Sequence, residues 1–229
     1  MQAILLPIKD LRKSKQRLAL ALTAAERLGL MNAMMEDVFH AVRGARQAER
    51  VYVVTSYVPA MHAADEAGWE VLREEQQVSE SASVDMASRL CEERGVTALL
   101  RLPLDLPLVR SQDIDEMLEF DFAAPAAVIV PSRDGTGTNA LLRTPPTLFP
   151  SHFGEGSFTK HCGEAERAGA RVILRRNPRL EMDVDDDADL RALLTCELAE
   201  TATGQWLSTS GVAERLLHHA GVRAAARGI

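Results

Sequence analysis

The stretch Leu99-Leu100-Arg101-Leu102-Pro103-Leu104-Asp105-Leu106-Pro107-Leu108 decides how this chain reads. The apolar run from Leu99 predicts a buried strand. Pro103 ends it, because proline has no N–H to give to a central ladder. Asp105 then falls on a stiff turn at the strand's C-terminal edge, between two leucines and two prolines. In open α/β sheets that edge is where ligands bind. A carboxylate so placed suits a hard cation such as Mg²⁺. The same residue would also serve as a turn cap, or as a cap for a helix beginning near Ser111. The stretch alone leaves both readings open.

The 229 residues around it are 46% apolar, which is enough to bury the core of one large α/β domain. We expect that domain over residues 1–195 and a C-terminal helical extension over 196–229. No apolar run approaches the roughly 18 residues that cross a membrane, and the chain enters its first strand without a signal-peptide pattern, so a cytoplasmic protein is expected. Cys91, Cys162 and Cys196 are odd in number and widely spaced, which fits neither a disulfide framework nor a zinc site. The net charge of −7, with no basic patch interleaved with aromatics, argues against nucleic acid as a partner.

Upstream of the deciding stretch, Ala3–Ile8 reads as a strand buried on both faces. It runs into a cationic segment, Lys9, Arg12, Lys13, Lys15 and Arg17, where a βα loop should lie. This is either a solvated basic loop or a triphosphate clamp built from side chains. Thr23 and Glu26 form a capping-box pattern, and Leu28, Met31, Met35, Val38 and Val42 follow at helical spacing. Val51–Thr55 and Trp69–Arg73 read as strands around a short helix from Pro59. Gln76–Asp85 reads as a polar loop entering a helix that ends near Arg94; its serines either cap that helix or donate to a ligand over its N-terminus. Downstream come a helix over Asp113–Phe120 and a buried strand, Ala127–Pro131. Alternation of strand and helix predicts a largely parallel sheet covered on both faces.

Ser132–Leu142 contains a literal G-x-G-x-x-A after a strand, but Pro145-Pro146 leave no room for the helix that a dinucleotide site needs. A short strand through Asn139–Leu142 is expected instead. No G-x-x-x-x-G-K-[ST] occurs, which excludes a P-loop. Phe153-Gly154-Glu155-Gly156-Ser157-Phe158, ahead of a helix through His161, offers backbone N–H groups and a hydroxyl to an anion, or is simply a capping loop. Leu180–Leu190 is rich in Asp, yet Ala188 and Leu194 stand where a calcium loop needs Gly and Glu. Asp185–Asp189 reads as the acidic first turn of a helix. Asp183 is expected in or at the end of a strand, on the same face as Asp185. The stripe Val212, Leu216, Leu217, Ala220 is expected to pack on the domain or on a second copy in a homodimer.

Four segments in this order carry a resemblance. Leu104–Leu108, Pro131–Leu141, Phe153–Phe158 and Leu180–Asp185, with Pro7-Ile8-Lys9 and Lys15–Leu18, resemble the 2-phospho-L-lactate or phosphoenolpyruvate guanylyltransferases of coenzyme F420 biosynthesis. The resemblance covers roughly residues 1–195. It implies a nucleotide-diphospho-sugar-transferase-like fold, a three-layer sandwich around a mostly parallel sheet. It also implies attack by a three-carbon phospho-acid (2-phospho-L-lactate, phosphoenolpyruvate or 3-phosphoglycerate) on the α-phosphate of GTP, with release of pyrophosphate. Asp105 and Asp183 would then hold Mg²⁺, with Asp185 nearby. Lys15 and Arg17 would bind the triphosphate, joined by Lys9. Gly154, Gly156 and Ser157 would bind the acid, and Thr138 and Asn139 would line its pocket. Where the family has a Gly-Leu-Asn-Ala type segment toward the nucleotide, this chain has Ser79–Asp85, from which Ser81, Ser83 and Asp85 are the candidates to meet the base. The product would pass to the next enzyme of the pathway.

The sequence holds no evident Ser-His-Asp or Cys-His arrangement. None is needed, since a phosphate monoester with a second pKa of about 6 is largely dianionic at neutral pH. The histidines therefore default to non-catalytic roles, apart from His152, which precedes the anion loop. Two rival readings are a related transferase using another nucleotide or acceptor, and a nucleotide-binding module without turnover.

Overall fold

The structure, a computed structural model, describes residues 1–76, 78–120 and 125–218. Seven strands form one sheet: β1 (Gln2–Ile8), β2 (Arg50–Thr55), β3 (Glu70–Arg73), β4 (Ala98–Arg101), β5 (Ala126–Pro131), β6 (Thr138–Thr144) and β7 (Arg171–Leu174). Their order is β3-β2-β1-β4-β6-β5-β7. Only β6 runs antiparallel to its neighbours, β4 and β5. The other pairings are parallel, as the alternation of elements predicted.

The helices are α1 (Ala24–Gly44), α2 (Val58–Glu66), α3 (Glu80–Glu93), α4 (Ser111–Leu118), α5 (Ser157–Arg167), α6 (Asp187–Leu193) and α7 (Ala202–Thr209). Period-two geometry sorts β1 between two layers. Ile4, Leu6 and Ile8 face a core shared with Met34 and Val38 of α1, Ile114 of α4 and Leu207 of α7. Ala3 and Leu5 face the opposite side, against Val84, Ala87 and Cys91 of α3. Farther along that side Ala127, Ile129 and Leu141 meet Ala165 of α5. The result is the expected three-layer sandwich.

Helix α1 starts where its sequence said it should, with Thr23 and Glu26 completing a capping box. The segment beyond residue 195 is joined to the same core. Leu207, Val212 and Leu216 are buried in it, and Asp37 of α1 caps α7 by accepting from the backbone of Ala202 and Thr203. Leu217, by contrast, is exposed, and Ala220 lies outside the described residues. Among the described residues no helix is long and apolar enough to cross a membrane.

Two expectations need correcting. Leu180–Asp185 belongs to no strand: it leaves a turn at Leu180 and runs on without ladder partners, since β1 and β6 already occupy both sides of β4. The segment instead lies across the sheet's C-terminal end, tied by the Val184 N–H donating to the Asp105 carbonyl at 3.3 Å. Secondly, Ser81, Ser83 and Asp85 sit inside α3 and not in a loop, since the helix begins at Glu80 with Ser79 as its cap.

Candidate active site

The chain winds outward from β1 to β2 and β3, then returns to place β4 on the other side of β1. That reversal is a topological switch point, where the loops leaving neighbouring strands diverge and open a crevice. The cationic loop leaves β1 there, and the Pro103–Asp105 turn leaves β4 beside it. Distant residues meet in the crevice. Lys15 Nζ donates to Asp105 Oδ2 at 2.5 Å and to Asp185 Oδ1 at 2.7 Å. Asn139, near the start of β6, donates from Nδ2 to the Leu180 carbonyl at 3.0 Å and to Asp183 Oδ1 at 3.1 Å.

Segment 176–185 is aimed by a lock behind it. Buried Asp113 of α4 is ion-paired with Arg179 and accepts from Asn177 Nδ2 at 2.8 Å. Arg176 and the Asn177 N–H both bond Glu181. Buried Leu180, Met182 and Val184 alternate with the aspartates, so Asp183 and Asp185 face the crevice together.

The electrostatics divide these carboxylates. Burial alone would raise Asp105, but the Lys15 ammonium outweighs it and holds that carboxyl below its ordinary range. Burial would equally lower Lys15, and Asp105 with Asp185 hold it above its usual value. Asp183 has no such partner among the described residues. Burial first, then the negative charge of Asp105, push it up to about 6 despite the Asn139 hydrogen bond. Among the described residues, no three His, Cys, Asp or Glu side chains gather closely enough to hold a metal alone.

The other candidates distribute unevenly. Lys13 and Arg17 are exposed, and Lys13 acts on Asp10 by its charge alone. Lys9 lies 3.5 Å from Glu80, which is also ion-paired with Arg101. Lys9, Asp10, Arg12 and Ser14 line a cavity of about 850 Å³ together with Ser56, Tyr57, Pro59 and Glu75. Arg12 is fixed there by two 2.8 Å bonds to Asp10 and lies over the Tyr57 ring at 5.7 Å.

The serine segment caps α3 through Ser79 and bonds a neighbouring loop. Ser81 Oγ accepts from the Phe153 N–H, and Asp85 accepts from the Ser151 N–H while lying 3.7 Å from Arg143. Ser83 turns back to the Ser79 carbonyl. Ser81 and Asp85 thus hold the 151–153 loop, and none of the three lines the large cavity.

That loop leads to Gly154 and Gly156, whose φ values of +113° and +67° favour glycine, and so into α5 at Ser157. The Ser157 and Phe158 N–H groups are spent on the carbonyls of Gly154 and Thr136. The Ser157 hydroxyl accepts from the Thr138 N–H at 2.9 Å.

Sequence reasoning missed Arg101, Arg143 and His161. Each carried a signal: a charged or polar side chain at a position the local pattern buries. Arg101 reaches the Asn139 carbonyl at 2.9 Å and covers the Phe153 ring, and Arg143 bonds the Phe149 carbonyl and Ser88.

The fold is nucleotide-diphospho-sugar-transferase-like. Among solved structures, a protein of Desulfovibrio desulfuricans G20 described as a nucleotide-diphospho-sugar transferase matches with a TM-score of 0.76. The match covers 94% of this chain and 97% of that one at 16% identity, a likeness of fold. The family model "Guanylyl transferase CofC like" matches residues 1–219, and the chain belongs to that family. It is 39% identical over 187 residues to the phosphoenolpyruvate guanylyltransferase of Rubrobacter xylanophilus, covering 82% of this chain and 90% of the relative. It is 30% identical over 190 residues to the 2-phospho-L-lactate guanylyltransferase of Methanothermobacter thermautotrophicus, covering 83% and 82%.

Proposed function

We propose that this enzyme joins GMP from GTP to the phosphate of a three-carbon phospho-acid, phosphoenolpyruvate first among them, as a step of coenzyme F420 biosynthesis. The convergence of Lys15, Asp105, Asp183 and Asp185 at the switch point carries this reading. An oxygen of the acid's phosphate attacks the α-phosphorus of GTP. The bond to the β-phosphate oxygen breaks and pyrophosphate leaves with that electron pair. The attacking dianion needs no general base, so the protein aligns the reactants and neutralises charge.

Asp105 and Asp183 offer hard carboxylate oxygens, and Asp183 has no cation opposite it among the described residues. This fits Mg²⁺, which usually takes one or two carboxylates plus substrate phosphates and not an all-protein cage. Bound there, the ion would neutralise charge developing on the α-phosphate. Asp185 stands beside it through Lys15. Lys15, Lys13 and Arg17 meet the triphosphate, and the cavity walled by Lys9, Ser56, Tyr57 and Glu75 takes the nucleoside. Thr138, Asn139, Gly154, Gly156 and Ser157 take the acid.

The experiment supplies Mg²⁺, each nucleotide and each acid in turn, follows pyrophosphate, and weighs the product. GTP with a three-carbon phospho-acid is expected to turn over fastest. Equal or better turnover with CTP or ATP moves the enzyme to a different nucleotide. No turnover with any pair leaves a binding module.

A further inference from the structure

We infer that His161 is a positioning residue that fixes the Thr138 hydroxyl as a donor toward an anionic oxygen of the acid substrate. The inference rests on the acid site proposed above. It starts from where β6 and α5 meet. Thr138 opens β6, directly before Asn139. Ser157 opens α5, and His161, one helical turn later, lies on the same face. His161 is fully buried, its ring crossing that of Phe153 at 66° with a centroid distance of 4.9 Å.

Both ring nitrogens are committed. Nε2 accepts the His152 N–H at 2.9 Å, so it carries no hydrogen. Nδ1 lies 3.0 Å from Thr138 Oγ1. Burial, followed by the charges of Arg143 and Arg101, holds the ring neutral, with its pKa down to about 3. A neutral imidazole has one hydrogen, and here it must be on Nδ1, donating to Thr138. The hydrogen of the Thr138 hydroxyl is therefore turned elsewhere, and no described residue accepts it.

Ser157 repeats the pattern, its Oγ accepting from the Thr138 N–H while its own hydrogen has no described acceptor. Thr138 is 7% exposed and Ser157 2%, so neither hydroxyl is simply solvated. Two buried hydroxyls, each already receiving an N–H, are left to donate, and the ligand that accepts two donors side by side is an anion. The Ser157 and Phe158 amides are spent on the carbonyls of Gly154 and Thr136, which leaves the two hydroxyls as the donors at this corner. Asn139, joined to Asp183, sets the pair next to the carboxylates of the reaction centre. A hydroxyl whose direction is fixed in advance spares the acid the ordering cost of binding.

Asparagine and glutamine separate the two ends of the ring. Asn places an amide N–H near the position of Nδ1, and Gln places a carbonyl near Nε2. Steady-state kinetics are measured for both substrates with His161→Asn, His161→Gln, Thr138→Val, Ser157→Ala and the double variant His161→Gln/Thr138→Val, each checked by thermal melting. His161→Gln is expected to raise KM for the acid roughly tenfold or more, the loss of a charge-assisted hydrogen bond. KM for GTP, and kcat at saturating acid, should hold within about twofold, the remainder left by a uniform binding contact. His161→Asn should stay near wild type, and the double variant should be no worse than Thr138→Val alone. Equal losses in the Asn and Gln variants, or multiplying effects in the double variant, would reduce His161 to core packing. If Thr138→Val and Ser157→Ala raise KM for the acid while His161→Gln does not, only the role of His161 falls. If those two variants leave it unchanged, the acid binds elsewhere and the underlying reading falls with the inference.

Discussion

The ammonium of Lys15 and the carboxylate of Asp105, 90 residues apart in the chain, meet at 2.5 Å. The Lys15 side chain is only 6% exposed, so this pair is held where each partner alone would be driven to its neutral form. Each keeps the other charged. Lys15 also has a φ of +53°, the one positive value on a non-glycine residue among those described. Such a backbone is held by its surroundings, and the double contact to Asp105 and Asp185 supplies them. Without substrate, the lysine balances carboxylates that would otherwise repel.

Lys15→Met keeps the aliphatic stem and removes the charge. Losing one partner of a buried ion pair costs about 3–5 kcal/mol, so the metal-free melting temperature should drop sharply. Added Mg²⁺ should then raise it by more than in the wild type, since the ion takes over the missing counter-charge. Thermal melting with and without Mg²⁺ measures this. A Mg²⁺ response no larger than in the wild type would separate Lys15 from the metal site.

Asp183 gives the pH dependence its sign. Its native carboxyl is raised from 3.8 to about 6, so between those values the folded state holds a proton that the unfolded state has released. Stability without metal should therefore fall as pH rises from about 4 to about 6. The penalty is absent below that window and complete above it. Asp183→Asn should remove this slope, melt at or above the wild-type temperature at pH 7, and nearly abolish turnover. Mg²⁺-dependent turnover of the wild type should climb through pH 6 as the carboxylate forms. Melting curves across the window decide it, and a slope that persists in the variant assigns the effect to another group.

Asp187 tests whether position or charge matters in the acidic segment. It sits in the first turn of α6 and pairs with Arg191 one turn on. Asp187→Asn should keep turnover and cost at most about 1 kcal/mol. A loss comparable with that of Asp183→Asn would spread the metal site along the whole segment.

Asp85 separates two uses of α3. Burial lowers Arg143 to about 10, and Asp85 opposes that shift. Asp85→Ala should destabilise by about 2 kcal/mol or more, because it leaves a buried guanidinium without its counter-charge. Through the Ser151 N–H it should also loosen the loop leading to Ser157, raising KM for the acid and leaving KM for GTP in place. A base contact at Asp85, as the sequence reading had it, demands the reverse split.

The sequence by itself determined what rests on local pattern. Strands β1, β2, β4 and β5 follow from apolar runs, α1 from its capping box, and the turn at Asp105 from two prolines without backbone donors. The order of motifs along the chain carried the family. What tertiary structure alone decided were the partners. An alternating segment such as Leu180–Asp185 looks the same whether or not a neighbouring strand is free to pair with it, and here both sides of β4 were taken. Ser81 and Asp85 read from the sequence as ligand contacts, and only the fold shows that both accept from the 151–153 loop, some 70 residues on. His152 drew notice by its place in a motif, yet its ring turns to Glu164, while His161 reaches Thr138 from inside α5. Hydrogen bonds and charge pairs are satisfied by groups close in space, and sequence spacing constrains those only within a turn or a strand.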